Sequence, residues 1–573
     1  MVSDHNHSRR RMLKTGGVFL GGGLAGCLGG DEPEGEDDGT DAGGSGRAQP
    51  EYLFRPDVGR DRIIGETLDP GFTGADIDSV GNVYQMTYDF LVAEEPAPSH
   101  EIIPQLATDW TIDGTTITLD IREDVKFHSG NELTSEDVYY SFERAAEMDG
   151  PAWSTFRGSL TVDGMSTPDE YTFEVELEEP WLQFIGSLAN FAIVDKELVQ
   201  EHEVDGDWGH DWMQDNTAGC GPYRMTEWTP DERVRWERFE DYWGGWDQDN
   251  PIDQVEGGII NEDSTIIQMW EDGDAHYVGH NQSFEMYERL GERDDTVIYE
   301  FSTIQHWFMS FNTTKEPFDD LNVRNAISEA VDYEGAQDLI IPGSIPGAGP
   351  VPRPLPEHNE NIEPGGPQDL DAAQDRLDAA DYTLDEINDM GGMEFSQYSD
   401  TGPVREVPLY WQDNLGDVGM ESNIQNVTFA EISESSSNPD EAISGFGANY
   451  RGGGGAPVTA DPYLYLSHHS DVLGSNFYTL HWYQDDELDE LLEASRAGAT
   501  PEEVQEPIDE AQELLDAEKP VMWVSNPTHF AMFSANLKGF GFRATTGQRW
   551  YPYDWSWDPD ATSADHPDAR ENQ

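Results

Sequence analysis

The chain has 573 residues, too many for one core, so roughly two to four domains are expected. It carries 116 Asp and Glu against 31 Lys and Arg, a formal charge of −85, which excludes nucleic acid as a partner because phosphate binding needs a basic surface. The 17 Trp, 22 Tyr and 24 Phe exclude disorder throughout. What remains is a folded protein with a densely acidic surface. In dilute salt that charge repels itself. In about 1 M salt the Debye length falls to about 3 Å and the repulsion is screened. With Lys also scarcer than Arg, the composition predicts a halophilic protein working in molar salt.

The elements begin with an export signal. Arg9 and Arg10, followed by Arg11, Met12, Leu13 and Lys14, form a twin-arginine pattern. The apolar run after it, GGVFLGGGLAG, is too short to span about 30 Å of hydrocarbon, which takes about 20 residues. It ends at Leu24-Ala25-Gly26-Cys27, small residues before a cysteine, as a lipoprotein signal does. Residues 1–27 therefore predict export by the twin-arginine route and a lipid anchor at Cys27, on the extracellular face of the cytoplasmic membrane. A single acyl chain holds only marginally, so a second lipid group is expected there. Residues 28–50 are Gly- and acid-rich with little to bury, and predict a disordered acidic linker. With Cys27 lipidated, Cys220 has no disulfide partner. Its setting, AGCGPY, is a Gly-Pro turn with only Arg224 as a basic neighbour, so no catalytic thiol is expected.

Asn82 to Leu91 has helical spacing at Val83, Met86 and Phe90. IIPQLATDW and TIDGTTITLDI read as two alternating strands around Asp113-Gly114, a hairpin signal. His128 to Asn131 turns, and Thr134 caps a helix with Asp137 in the place of the usual Glu of a capping box. Tyr171 to Leu177 alternates as a strand does. GCGPYRMTEWTPDERVRWERFEDYWGG reads as turn, strand, turn, strand and an aromatic end, and Ile266 to Gly273 as a helix with a Gly stop. From Asn312 to Glu518 helices and strands alternate, as α/β units do. No later segment approaches a membrane span; the apolar cluster PVMWVSN from Pro520 is strand-length.

In this order LATDWTIDGTTITLDIREDVKFHSGNELTSEDV, GCGPY, EDYWGGWDQDNP and MSFNTTKEPFDDLNVRNAISEAVD closely resemble the peptide- and nickel-type solute-binding proteins of ABC importers, bacterial extracellular family 5. LDAAQDRLDAADY, Asp461-Pro462 in a loop, and the helix pair DELDELLEASRAG and QEPIDEAQELLDAEKPVMWV extend the resemblance to about Trp557. It implies an α/β, two-lobe periplasmic-binding-protein-like fold (type II, enlarged first lobe) with mixed sheets and a hinge. Mapped here, the first lobe takes 51–268 and 521–573, with an extra subdomain near 71–158, and the second lobe takes 269–520. The resemblance implies a receptor rather than an enzyme, without a cofactor. It would capture a peptide between its lobes and deliver it to the membrane permease and ATPase subunits of an ABC importer. An oligosaccharide or a nickel complex is the alternative ligand, and a secreted hydrolase the alternative class, for which no G-x-S-x-G elbow is present.

A cleft between lobes is lined by aromatic faces and a few polar groups. Trp307, Trp411, Tyr450, Trp153 and Tyr84 are the aromatic candidates. The resemblance implies a loop aspartate, in a Gly/Ala-Asp-Tyr pattern, that meets the ligand's amino group. Here the pattern is Ala448-Asn449-Tyr450, followed by Arg451 and the run Gly452 to Gly455. Asn449 can hydrogen-bond but cannot neutralise an ammonium. A desolvated charge without a counter-ion costs several kcal/mol. Binding of a free-amine peptide therefore requires Asp461, or Asp76 or Asp78 of the first lobe, to replace the missing aspartate. The candidate ligand set is Asn449, Tyr450, Asp461, Trp411, Trp307, Trp153 and Asp78. No metal site is expected. His468 and His469 are adjacent and would diverge on a strand, and no H-E-x-x-H or Cys/His spacing exists. His128 reads as structural. Asn281, Asn312 and Asn426 begin glycosylation triplets.

Overall fold

The computed structural model describes residues 51, 53–55, 67–71, 84–96, 101–153, 155–181, 183–230, 232–258, 260, 262–279, 284–339, 344–397, 403–427, 429–442, 446–451, 459–474, 477–498, 500–543 and 551–566. Arg9, Arg10, Cys27, the 28–50 linker, Asp76, Asp78, Gly452 to Gly455 and Asn281 lie outside them, and only the backbone of Asn449 and Tyr450 is described.

β1 (Leu53–Arg55) opens the first sheet. The alternating stretch folds as its pattern predicts. β2 (Ala107–Asp113) and β3 (Thr116–Ile121) form an antiparallel hairpin with Asp113 opposite Thr116. Gly114 has φ +67° in the turn, which glycine adopts without a Cβ penalty. α1 (Ser135–Glu147) begins at Thr134, whose amide and hydroxyl both donate to Asp137 Oδ2 at 2.9 Å, so Asp serves where Glu is usual. β4 (Met165–Asp169) and β5 (Thr172–Glu176) complete a sheet of order β2-β3-β5-β4. Its inward residues Ile117, Leu119, Phe173 and Val175 pack on Phe142 of α1, in a core that runs from Leu91 to Ile193 and includes Cys220. This subdomain extends past the expected 71–158, because the second hairpin and Phe184 to Ile193 cover the same apolar face. Of the helix expected over Asn82 to Leu91, the described residues Tyr84 to Thr87 are helical, and the helix has ended by Tyr88.

β6 (Tyr223–Thr229), β7 (Arg233–Arg238) and β8 (Gln254–Gly258) join β1 in the order β1-β8-β7-β6. β9 (Tyr277–Val278) and β10 (Thr296–Ser302) follow, and β11 (Gln305–Ser310) resumes after Thr303-Ile304. The alternation then proceeds as expected through α2 (Leu321–Ala330), β12 (Ile345–Pro346), α3 (Leu370–Ala379), β13 (Met393–Gln397), α4 (Pro403–Asp417), β14 (Ser422–Asn426) and β15 (Phe446–Arg451). α5 (Asp461–His468), α6 (Asp486–Ala497) and α7 (Pro501–Glu518) lead to β16 (Val521–Asn526) and β17 (Thr528–Ser534). α5 corrects two expectations. Asp461-Pro462 opens a helix instead of lying in a loop, since proline's missing N–H is no loss in a first turn. His468 and His469 close that helix instead of sitting on a strand.

β16 lies inside a six-stranded mixed sheet of order β12-β16-β11-β15-β13-β14. One face carries Met309, Met522 and Val524 against α2, α3 and α4. The other carries Phe308, Val521 and Trp523 against α5, α6 and α7. β17 instead pairs with β9 and β10. Tyr277, Val297, Ala531 and Phe533 of these strands share one core with Leu53, Trp236 and Val255 of the first sheet. The chain therefore changes sheets between Ser302 and Gln305, and again between Asn526 and Thr528. The strand just after the expected division at 520/521 pairs within the six-stranded sheet, between β12 and β11. VMWVSN is buried on both faces, as a central strand requires, and so belongs with the six-stranded sheet. The two crossovers are tied together, with the Thr303 hydroxyl donating to the Pro527 carbonyl at 2.8 Å and the Asn526 amide to the Gln305 carbonyl at 2.9 Å.

Candidate functional site

The helices of the six-stranded sheet meet the subdomain at Arg496. α6 places this residue in its last turn, and α5 places Asp461 in its first. The guanidinium donates to both Asp461 oxygens, at 2.6 and 2.8 Å. It lies 3.4 Å from the Tyr465 ring centroid and 5.1 Å from that of Trp181, a cation–π stack. Its Nη1 reaches Ser159 Oγ at 3.4 Å. Tyr465 belongs to α5, whereas Trp181 is in the subdomain core, so one side chain spans the junction. Asp461 is consequently engaged by Arg496 and is not a free counter-charge for a ligand. That part of the expectation is corrected.

Beside this pair stands Glu357, which sequence reasoning missed. Burial pushes its carboxyl up to about 7, against the smaller opposing pull of its own backbone amide and that of Ala460, the residue before Asp461. Glu357 Oε2 is buried without a hydrogen-bond partner among the described residues, and so is Thr459 Oγ1. Nothing in its Pro-rich stretch marked Glu357 among 116 acidic residues.

The β11–β15 register sets Asn449 opposite Trp307 and Tyr450 opposite His306. Two candidates taken from distant stretches are thus cross-strand neighbours. Trp307 is half-buried, and its indole N–H is buried without an acceptor among the described residues. Trp411 and Trp153 are corrected to core residues. Trp411 is fully buried among the α2–α4 side chains and donates to the Asp332 carbonyl at 3.3 Å. Trp153 packs on Phe156 inside the subdomain. Tyr84 is buried, donates to the Asp69 carbonyl, and borders a cavity of about 30 Å³ shared with Arg144, Thr155 and Asn190, room for about one water.

The remaining candidates sort readily. His128 Nε2 donates to the Gly221 carbonyl, 2.9 Å away, and burial lowers the ring to about 4, as a structural neutral ring. Burial pushes the Cys220 thiol well above its usual range, so it does not act as a thiolate nucleophile. Asn312 is buried, with its amide donating to the Pro439 and Ala442 carbonyls, which encloses that glycosylation triplet. Among the described residues no three His, Cys, Asp or Glu converge as metal ligands, and no helix is long and apolar enough to cross a membrane.

The family model "Bacterial extracellular solute-binding proteins, family 5 Middle" matches residues 101–473. Over 508 residues the chain is 25% identical to the probable D,D-dipeptide-binding periplasmic protein DdpA of Escherichia coli strain K12, covering 84% of this chain and 91% of that protein. It is 29% identical over 256 residues to the dipeptide-binding protein DppE of Bacillus subtilis strain 168, spanning 41% of this chain and 45% of that relative. Among solved structures it is similar to the ABC transporter-associated periplasmic binding protein DppA from Helicobacter pylori in complex with peptide STSA, with a TM-score of 0.74, 21% identity, and coverage of 88% of this chain and 98% of that one. That likeness shows a periplasmic-binding-protein fold, and the family match spans the subdomain, the first crossover and most of the six-stranded sheet. The chain therefore belongs to the bacterial extracellular solute-binding proteins of family 5, which are transport receptors and not enzymes.

Proposed function

We propose that the protein is the lipid-anchored, extracellular substrate-binding component of an ABC importer that captures peptides between two lobes and passes them to permease and ATPase subunits. One lobe comprises 51–302 with 528–566 and carries the subdomain; the other comprises 305–526. The observation that carries the reading is Arg496, held by Asp461 on one side and ending against Ser159 and Trp181 on the other, the contact a closed pair of lobes makes. Opening at the Thr303 and Pro527 crossovers would admit a ligand, and a ligand that binds the closed form better shifts the population toward it.

Peptide is supported by the dipeptide-binding relatives and by Trp307, half-buried opposite Asn449. Arg9, Arg10 and Cys27 support twin-arginine export and lipid attachment outside the cell, and the charge of −85 supports work in molar salt. Calorimetry in about 3 M KCl, against di- to pentapeptides, oligosaccharides and nickel–histidine, tests the reading. Saturable binding by peptides alone is expected. Binding by only the sugars or only the nickel complex would replace the peptide reading, and turnover of any ligand would replace the receptor reading.

A further inference from the structure

We propose that the protein is N-glycosylated at Asn426 and that the glycan guards the open edge of the six-stranded sheet. The proposal rests on the export part of the reading above, because the sugar is added outside the cytoplasm, and it is independent of the ligand. Three observations carry it.

The first is the triplet. Asn426-Val427-Thr428 is an Asn-x-Ser/Thr acceptor, as are the triplets that begin at Asn281 and Asn312. The second is placement. A transferase acting on the folded chain reaches only a triplet on its surface. Asn312 does not qualify. It is buried, its amide donates to the Pro439 and Ala442 carbonyls at 2.8 and 3.1 Å, and its Oδ1 accepts from the Thr314 hydroxyl at 2.7 Å. Asn426 is exposed and is the last residue of β14, opposite Gln397 of β13. The next element is the helix Phe429–Ser436, so the acceptor stands at a strand end.

The third is the character of that strand. Among the described residues β14 closes the six-stranded sheet and pairs on one side only, with β13. An open edge invites pairing with another chain, and proteins blunt it with charge, proline or a cover. The other described edge strands of five residues or more do so: β2 carries Asp109, β4 Pro168, β6 Glu227 and β10 Glu300. β14 reads SNIQN, with neither charge nor proline. No charged residue occurs from Ser422 to Ala430, in a chain that is 26% charged. Asn423, Gln425 and Asn426 are all exposed. Molar salt screens the long-range repulsion that keeps acidic surfaces apart, so this edge needs a steric guard. A glycan is bulky and solubilising, and at Asn426 it would stand on the exposed strand itself. Attachment is a substitution. The Asn426 amide nitrogen bonds to the anomeric carbon of an oligosaccharide carried on a lipid phosphate. The bond from that carbon to the phosphate oxygen breaks, the lipid phosphate leaves with the electron pair, and one amide proton passes to a base of the transferase. Nothing is oxidised or reduced.

The full chain and its Asn426→Gln and Thr428→Ala variants are made in the cells that naturally produce the protein, recovered from the membrane fraction or the medium, and cut after glutamate. Residues 422–431, SNIQNVTFAE, form one fragment that holds this triplet alone. In wild type that fragment is expected to be heavier than its sequence by the mass of a glycan and to release sugar ions on fragmentation. The fragment with Asn312 is expected at its sequence mass. Both variants should lose the added mass, Thr428→Ala showing that the triplet is required and not the asparagine alone. Sedimentation in about 3 M KCl should find wild type monomeric and both variants self-associating. An unmodified 422–431 fragment in chain recovered outside the cell overturns the proposal while export stands, and chain held inside overturns both. A glycan on Asn312 overturns exposure as the selector. Variants that stay monomeric overturn the guarding role while Asn426 stands as the acceptor. If neither variant folds, the mass of the wild-type fragment still decides the site.

Discussion

Arg496 and Asp461 are joined twice, Nε to Oδ1 at 2.6 Å and Nη2 to Oδ2 at 2.8 Å, with both side chains buried where two parts of the chain meet. Removing one partner of such a pair leaves an uncompensated buried charge, which costs about 3–5 kcal/mol, whereas replacing both by apolar groups is often neutral. Arg496→Met is therefore expected to lower stability by about 3–5 kcal/mol in urea unfolding, and Arg496→Met combined with Asp461→Leu to recover most of it. Equal losses in the single and double variants would show that the pair contributes nothing as a pair.

A second expectation concerns acid. Burial lowers His306 to about 3 and both His481 and His128 to about 4, and His468 lies well below its usual range. Unfolded rings titrate near 6.5. The unfolded chain thus binds more protons over this interval, so the contribution of these rings is whole above about pH 6.5 and is lost as pH falls toward their folded values. Asp89 runs the other way. Burial raises it to about 7 in spite of donors from Trp243 and Tyr242, so its contribution is whole below the unfolded carboxyl value and lost as pH rises through about 7. His468 has both ring nitrogens buried without partners and stacks on His481 at 4.7 Å. His468→Leu should leave stability at pH 7 unchanged or higher by up to about 1–3 kcal/mol. It should also make the acid limb of the unfolding midpoint shallower. An unaltered acid limb would mean that this ring does not remain neutral in the folded protein.

What could be read from the chain beforehand was local. The hairpin at Asp113-Gly114 and the Thr134–Asp137 start of α1 depend on residues within a few positions of each other, and both formed. Sheet membership depends on pairing across hundreds of residues. Nothing near VMWVSN says that it inserts between β12 and β11. The same holds for the site. Asp461 could be singled out, but its partner Arg496 lies a helix away, and the pairing changes what the acid can do. Trp307, Trp411 and Trp153 are alike as letters; only the packing separates the half-buried one from the two in cores.

GCGPY read as a turn, and the structure shows a stricter reason for its glycines. The Gly221 amide donates to the Thr87 carbonyl at 2.9 Å, and a Cβ on Gly221 would stand 2.7 Å from Thr87 C and from Tyr88 N. Backbone on the far side cannot swing away as a side chain would. Gly221→Ala should cost about 1–3 kcal/mol or more, the range of overpacking. A Cβ on Gly366 would meet nothing within 4 Å, so Gly366→Ala should be neutral or stabilising by about 0.4–1 kcal/mol. Thermal midpoints of the two variants compare them directly, and similar losses would remove the close approach as the cause.

Attachment outside the cell has its own test. If Cys27 carries the lipid, Cys27→Ser should move the protein from the membrane fraction to the medium while peptide binding is unchanged, since residue 27 is remote in sequence from every candidate ligand contact. Replacing Arg9 and Arg10 by Lys should instead hold precursor inside. Membrane attachment that persists in Cys27→Ser would exclude the cysteine as the anchor.

The last expectation separates collective repulsion from individual pairs. A charge of −85 is spread over the chain, and at about 0.1 M salt a Debye length of about 10 Å lets neighbouring acids repel. At about 1 M the length is about 3 Å and the repulsion is nearly gone. The thermal midpoint of the wild type should therefore rise steeply between about 0.1 and 1 M KCl and little further. The Arg496–Asp461 pair is buried and so is screened much less than surface charges are. The penalty of Arg496→Met should consequently be the same at low and high salt, even as both proteins become more stable. A midpoint that stays flat over the whole range would contradict the halophilic reading, and a penalty that shrinks with salt would place the pair in contact with solvent.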